Sequence, residues 1–259
     1  MKKTLLVLDI GNTNIVIGGF DGDRLVFELR LKTDSARTLD EYDGILTPLL
    51  DRKLGHEVSF WGCVISSVVP PITPTFAGWV RQRFGVEPLI IGPGVKTGLP
   101  IKIPDPAAVG ADRIVNAVAA KTLFGTPALV IDFGTATSFD YVDKGGSYQG
   151  GIIAPGPMVA IESLVRHTAK LPHIELVWPK NVIGNGTVPA MQSGTVLGYL
   201  CLVEGLIEKV IEEVGPIEHV IATGGLGKLF SERSKRIKSY EPDLTLKGMK
   251  IIADLNLKQ

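Results

Sequence analysis

The chain has 259 residues, 45% of them hydrophobic, and a mean hydropathy of +0.24; it can fill a sizeable core, and its length supports about two domains. Its 27 basic residues are balanced by 27 acidic ones, which argues against nucleic acid or an anionic membrane surface as the main partner. No uncharged run approaches membrane-spanning length. The basic start Met1-Lys2-Lys3 leads into an apolar run that stops at Asp9 without a small-residue cleavage site, so the expected location is cytoplasmic. Cys63 and Cys201 both sit among apolar residues and read as reduced, buried thiols; the four histidines form no ligand spacing.

Residues 3–31 read as three antiparallel strands, broken at Gly11-Asn12-Thr13 and at the hairpin signal Asp21-Gly22-Asp23. Thr38-Leu39-Asp40-Glu41 has the spacing of a capping box. The helix it opens carries Tyr42, Ile45, Leu46, Leu49 and Leu50 on one face. Ser59–Val69 reads as a strand, Pro74–Phe84 as a helix and Glu87–Ile91 as a strand. Residues 92–110 are rich in glycine and proline and lack periodicity, the mark of a functional loop or a linker. Ala111–Leu123 reads as a helix with Ile114, Val115, Val118 and Ala119 inward.

After Thr126-Pro127 the scheme repeats. Strands are expected over 128–133, 138–143 and Ser147–Ile153, then a helix from Pro155-Gly156-Pro157 to about Thr168. A long helix over Thr187–Val214 carries enough apolar surface for a core element or a dimer interface. Strand Glu218–Ala222 meets Thr223-Gly224-Gly225 and a further helix, the basic stretch Arg233–Lys238 reads as a solvated helix end or loop, and a helix or strand lies around Leu244–Leu255. Strand triplets followed by helices, twice over, predict an α/β protein of two duplicated domains, placed at residues 1–117 and 118–259.

The repeat is visible in the residues themselves. Val7-Leu8-Asp9-Ile10-Gly11-Asn12-Thr13-Asn14 is echoed by Val130-Ile131-Asp132-Phe133-Gly134-Thr135-Ala136-Thr137. Each copy reads as strand, tight turn and strand with a carboxylate at the mouth, and two such hairpins facing each other would make a two-walled phosphate site. Asp9 can hold a metal ion through water, as magnesium prefers. Thr135 is placed to donate to a terminal phosphate, while Asp140 is either functional or an ordinary exposed strand residue. In Ile221-Ala222-Thr223-Gly224-Gly225 the glycines let a flat base or ribose approach the backbone. In Gly110-Ala111-Asp112-Arg113 the aspartate falls at a helix start, either as a cap or as a general base toward a substrate hydroxyl. The glycines of Gly150–Pro157 allow close packing against a ligand or a second subunit.

These elements resemble the phosphate-1, phosphate-2 and adenosine motifs of the actin-like ATPase and sugar kinase superfamily. Within it, the chain is similar to type III pantothenate kinases over nearly its whole length. Asp9–Thr13, Ser66–Pro70, Gly110–Arg113, Asp132–Thr137, Gly150–Gly156, Ala190–Gly194 and Asp243–Leu246 look like that family's motifs, in its order. The resemblance implies two ribonuclease-H-like domains with ATP in the cleft between them, a homodimer, and phosphorylation of the terminal hydroxyl of pantothenate, the first step toward coenzyme A. It implies that Asp9, Ile10, Gly11, Asn12, Thr13, Asn14, Ile15 and Val16, with Thr135, bind ATP together with Mg²⁺. It implies that Asp112 accepts the proton, that Gly110, Ala111, Asp112 and Arg113 contact pantothenate, and that Thr187 reaches pantothenate across the dimer interface. Asp132 is implied to bind a monovalent cation, K⁺ or NH₄⁺. The chain departs from the family's pattern at Asn185-Gly186, where a lysine is common, at Ser138, where threonine is usual, and at Ile103-Pro104, where many members carry a tyrosine. Two other functions fit the same motifs: a non-catalytic transcriptional accessory factor, and a kinase acting on another small hydroxylated or carboxylated substrate.

Overall fold

The computed structural model describes residues 4–55 and 59–257, so the basic start Met1–Lys3 and His56 lie outside the described residues. The chain forms two compact units, residues 1–123 together with 243–259, and residues 124–242. The first contains β1 (Thr4–Ile10), β2 (Asn14–Asp21), β3 (Arg24–Lys32), α1 (Leu39–Leu54), β4 (Phe60–Ser67), α2 (Thr73–Phe84), β5 (Pro88–Ile90) and α3 (Ala111–Leu123). The second contains β6 (Ala128–Phe133), β7 (Ala136–Val142), β8 (Tyr148–Pro155), α4 (Pro157–Arg166), α5 (Thr187–Gln192), α6 (Gly198–Val214), β9 (His219–Thr223), α7 (Gly227–Ser231) and β10 (Ser239–Tyr240). A last helix, α8 (Leu244–Asn256), returns to the first unit.

The two sheets share one topology. The first runs β3-β2-β1-β4-β5, with β1, β2 and β3 antiparallel and β4 and β5 parallel to β1. The second runs β8-β7-β6-β9-β10, with the same sequence of antiparallel and parallel pairings. The duplication legible in the sequence is therefore a duplication of connectivity. Local signals did what they predicted: the Thr38 backbone N–H donates to Glu41 Oε2 at 2.7 Å and the capping box closes, while Gly22 turns the β2–β3 hairpin with φ of 60°.

In the first unit, Leu6, Leu8 and Ile10 of β1 pack with Ile17, Tyr42, Leu46, Phe76 and Trp79 on one side of the sheet. The other side is covered by α3 and α8, where Gly18 faces Leu246 and Gly62 faces Leu257. Helix α3 is buried from Ile114 through Ala120 on every side, beyond the single stripe expected, because α8 lies against it. A Cβ on Gly248 would strike the Val115 carbonyl, and Thr245 Oγ1 donates to the fully buried Asn116 Oδ1 at 2.8 Å. The compact units thus differ from the domains expected at 1–117 and 118–259. Helix α3 continues unbroken to Leu123, and residues 243–257 complete the first sheet's core rather than the second's.

Three further differences emerge. The helix expected over 187–214 is interrupted by a π-helical segment, Ser193–Leu197, where Thr195 Oγ1 bonds back to the Met191 carbonyl at 2.7 Å and Ser193 Oγ to the Val182 carbonyl. Cys63 is fully buried, which pushes its thiol pKa far up, but Cys201 is exposed. Asp140 is not an exposed strand residue: it is fully buried and accepts hydrogen bonds from Tyr148 Oη at 2.8 Å and Ser138 Oγ at 3.0 Å. Among the described residues no helix is long and apolar enough to cross a membrane.

Candidate active site

Asp9 sits half-buried on β1, one residue before its end, and in register with Ser66 of the parallel strand β4. The turn that follows is closed by Gly11 N–H donating to the Asn14 carbonyl at 3.0 Å, which leaves Asn12 and Thr13 exposed at its tip. Thr33, just past β3, clasps this turn: its Oγ1 donates to the Gly11 carbonyl at 2.6 Å and its N–H to the Thr13 carbonyl at 2.9 Å. Sequence reasoning missed Thr33, because its partner lies 22 residues upstream and no local pattern marks it. Ser66 is fully buried beside Asp9, and its Oγ has no hydrogen-bond partner among the described residues.

Gly110-Ala111-Asp112-Arg113 lies at this same edge of the first sheet. Val68, which continues the β1–β4 ladder by donating to the Ile10 carbonyl, has its Cγ1 3.5 Å from where a Cβ on Gly110 would sit. The Gly110 carbonyl caps α3, accepting from Arg113 N–H at 3.1 Å and Ile114 N–H at 3.3 Å. Asp112 folds back over that glycine, with Oδ1 2.5 Å from the position of a Gly110 Cβ, so no other residue fits there without displacing the carboxylate. Asp112 Oδ1 accepts from the Arg113 N–H at 2.8 Å. Burial pushes its pKa above the usual carboxylate range, opposed by that N–H and by the Arg113 charge.

The irregular loop before Gly110 is tied down by its own unit. Lys96 N–H donates to Asn256 Oδ1 at 3.0 Å, Asn256 Nδ2 returns a bond to the Lys96 carbonyl at 2.7 Å, and Lys121 Nζ donates to the Gly98 carbonyl at 2.8 Å. One helix, α8, therefore steadies both the loop and the helix that carries Asp112.

In the second unit, Asp132 on β6 lies between Ser138 of β7 and Thr223 of β9 in the sheet register. The turn after it exposes Gly134 and Thr135. Gly224, with φ of 85°, presses on Asp132: a Cβ there would collide with Asp132 Oδ1 and come within 2.8 Å of Phe133 backbone atoms. Gly156 presses similarly on the turn, where a Cβ would sit 2.5 Å from the Gly134 carbonyl oxygen and collide with that of Thr135. The Asp132 carboxylate and the Gly134 and Thr135 carbonyls thus border one turn, and a hard cation takes oxygens of these kinds. Thr187 stands exposed at the start of α5, and Gly184 before it packs tightly on the Pro189–Ala190 backbone.

Among the described residues no group of three or more His, Cys, Asp or Glu side chains forms a metal cluster. A cavity of about 390 Å³ lined by Ser67, Thr73, Ala77, Arg81 and Ile90 contains none of the predicted site residues.

Known proteins match this architecture. Two solved structures share the fold: a putative Baf family transcriptional activator from Campylobacter jejuni (TM-score 0.62, 19% identity, 96% of this chain and 98% of that one) and a putative 2-dehydro-3-deoxygalactonokinase from Sinorhizobium meliloti (TM-score 0.58, 12% identity, 98% and 97%). The duplicated ribonuclease-H-like fold of actin-like ATPases and sugar kinases is the fold of this chain. Two relatives called type III pantothenate kinase are each 46% identical: one from Exiguobacterium sp., over 98% of this chain and all of that protein, and one from Geobacter sulfurreducens, over 97% and 99%. The family model described as type III pantothenate kinase matches residues 5–209, and the chain belongs to the type III pantothenate kinase family.

Proposed function

We propose that this chain transfers the γ-phosphoryl group of ATP to the terminal hydroxyl of pantothenate, giving 4'-phosphopantothenate, the first step of coenzyme A biosynthesis. The observation that carries this reading is full-length identity of 46% to relatives of that name. Asp112 is the general base. Its carboxylate takes the hydroxyl proton as the new oxygen–phosphorus bond forms and the bond to the ADP leaving group breaks. A pKa raised by burial brings it nearer to working pH, which suits a group that must accept a proton.

Gly110, Ala111, Asp112 and Arg113 contact pantothenate, and Thr187 does so from a second subunit. The turn Asp9–Val16 and Thr135 hold the nucleotide. The first unit supplies the phosphate-1 turn and the substrate loop; the second supplies the phosphate-2 turn, the adenosine loop and the dimer helix. Magnesium fits beside Asp9 through water, where Ser66 Oγ is buried without a protein partner among the described residues. A monovalent cation, K⁺ or NH₄⁺, fits at Asp132, where Gly224 and Gly156 keep the oxygen-lined turn free of side-chain bulk. When bound, such ions screen the charge of the transferring phosphoryl group.

The expected location is cytoplasmic and the expected assembly a homodimer. Apolar side chains of the second unit support the latter: Ile153 is 64% exposed, Val182 71% and Ile183 88%. Ile183→Asp is expected to shift the protein to monomer in sedimentation velocity and to lower activity with it. A dimer unchanged by that substitution would remove this face from the interface. The reading as a whole is tested by ADP release with pantothenate, with and without K⁺. K⁺-stimulated, pantothenate-dependent turnover is expected. Its absence, or turnover with a different hydroxylated substrate only, would overturn the assignment.

A further inference from the structure

Tyr199 enters α6 directly behind the π-helical segment, and its ring packs on Phe230, which in turn stacks on Phe133 (centroids 5.4 and 5.1 Å). Its hydroxyl lies 2.7 Å from Thr137 Oγ1 and 2.9 Å from the Pro155 carbonyl oxygen. A carbonyl only accepts, and tyrosine has one proton. That proton serves Pro155, and the contact between the two hydroxyls is completed by the proton of Thr137. Thr137 is fully buried as the second residue of β7; Pro155 ends β8 and pairs with Ala136. Gly156 then continues the ladder by donating to the Thr135 carbonyl at 3.0 Å. One hydroxyl therefore grips Thr137, where the turn enters β7, and Pro155 of β8, next to the Gly156 that bonds back to the turn at Thr135. The same helical run begins at Thr187, with the π-helical segment lying between Thr187 and Tyr199.

We propose that Tyr199 is a positioning residue that holds the Asp132–Thr137 turn in its cation-binding shape and couples that turn to the helical run carrying Thr187, so that cation and substrate binding reinforce each other. The inference rests on the reading of this turn as the monovalent-cation site. Without that hydroxyl, β7 and β8 lose their common reference at the end where both meet the Asp132–Thr137 turn, and the turn must then be ordered by the cation itself. By linkage, a helix that stiffens the turn is stiffened by whatever occupies it.

The test is Tyr199→Phe, which keeps the ring and its packing. Thermal unfolding midpoints are followed across a KCl series at constant ionic strength, balanced with choline chloride, without nucleotide. The parent is expected to rise in midpoint with KCl. In the variant the KCl concentration giving half of that rise should increase about three- to tenfold, the factor that one net hydrogen bond represents. The KM for pantothenate should depend on KCl in the parent and lose that dependence in the variant, while kcat at saturating KCl changes less. Thr137→Val should reproduce the shift, and the double variant should be no worse than either single one. Identical KCl responses in the parent and both variants would overturn the inference alone. A parent blind to KCl would overturn the cation reading of the turn, and the inference with it.

Discussion

Asp112→Asn is expected to lower turnover by about 10²–10⁴-fold, the usual worth of a positioned general base, while ATP binding stays close to the parent's. The substitution keeps an oxygen that can accept the Arg113 N–H and keeps the size that Gly110 accommodates. What it removes is the ability to hold a proton at that oxygen. It also removes a burial cost. Because burial raises the folded-state pKa of Asp112 above its unfolded value, its contribution to stability is full below the unfolded pKa and is lost as pH rises through the folded pKa. At neutral pH the ionised carboxylate is therefore a liability to the fold. The asparagine variant should unfold at the same or a higher temperature than the parent at pH 7, with the difference closing below about pH 4, the ordinary carboxylate range. The acid limb of kcat/KM should likewise lie above that range. Turnover within tenfold of the parent would remove Asp112 from the role of base, and a clear loss of stability at pH 7 would contradict the burial cost.

Gly224→Ala is expected to be among the most damaging single-methyl changes in the second unit. Its backbone occupies the left-handed region at φ of 85°, and its Cβ would fall on Asp132 Oδ1 and on the Phe133 backbone. Asp132 Oδ1 ends a side chain, but the Phe133 atoms are backbone and cannot swing away, so the strain adds to the overlap. A loss of about 3 kcal/mol or more follows, visible as a drop of roughly 10 °C in the unfolding midpoint. The neighbouring glycine is the control. Gly225 has nothing within 4 Å of its Cβ position and no positive φ, so Gly225→Ala should leave the midpoint nearly unchanged. Calorimetry on the two variants side by side checks the contrast. Equal midpoints would mean that the turn yields freely, and that Gly224 is not what holds its shape.

This contrast also marks where the sequence could be read and where it could not. Thr223-Gly224-Gly225 was legible as a strand end that needs glycine, but pattern alone suggested a ligand as the reason for both. The structure separates them: Gly224 is required by Asp132 of the same unit, and only Gly225 is open. The strand–turn–strand echo at Asp9 and Asp132 was legible because both copies are local, with a continuous apolar run, an aspartate and a small-residue turn within a dozen residues. Thr33, Tyr199 and Asn116 were not, since each acts through long-range bonds, to Gly11 and Thr13, to Thr137 and Pro155, and from Thr245. For Asp140 the pattern left a functional residue and an ordinary exposed one both open, because a strand pattern says which face a residue takes, but not that Tyr148 and Ser138 bond it there. The segment that forms α8 was legible only as a helix or strand around Leu244–Leu255, and nothing in it says which of two similar sheets it will cover.

That last assignment bears on how the protein is made. Residues 124–242 are contiguous and can close their core as soon as they leave the ribosome. The first sheet cannot. Its α3 side, including Gly18, Gly62 and the Asn116 amide, waits for residues 244–257, which are synthesised only after the whole second unit. The half that begins the chain is thus the half that finishes folding, and through that interval its β1–β4 face stays uncovered.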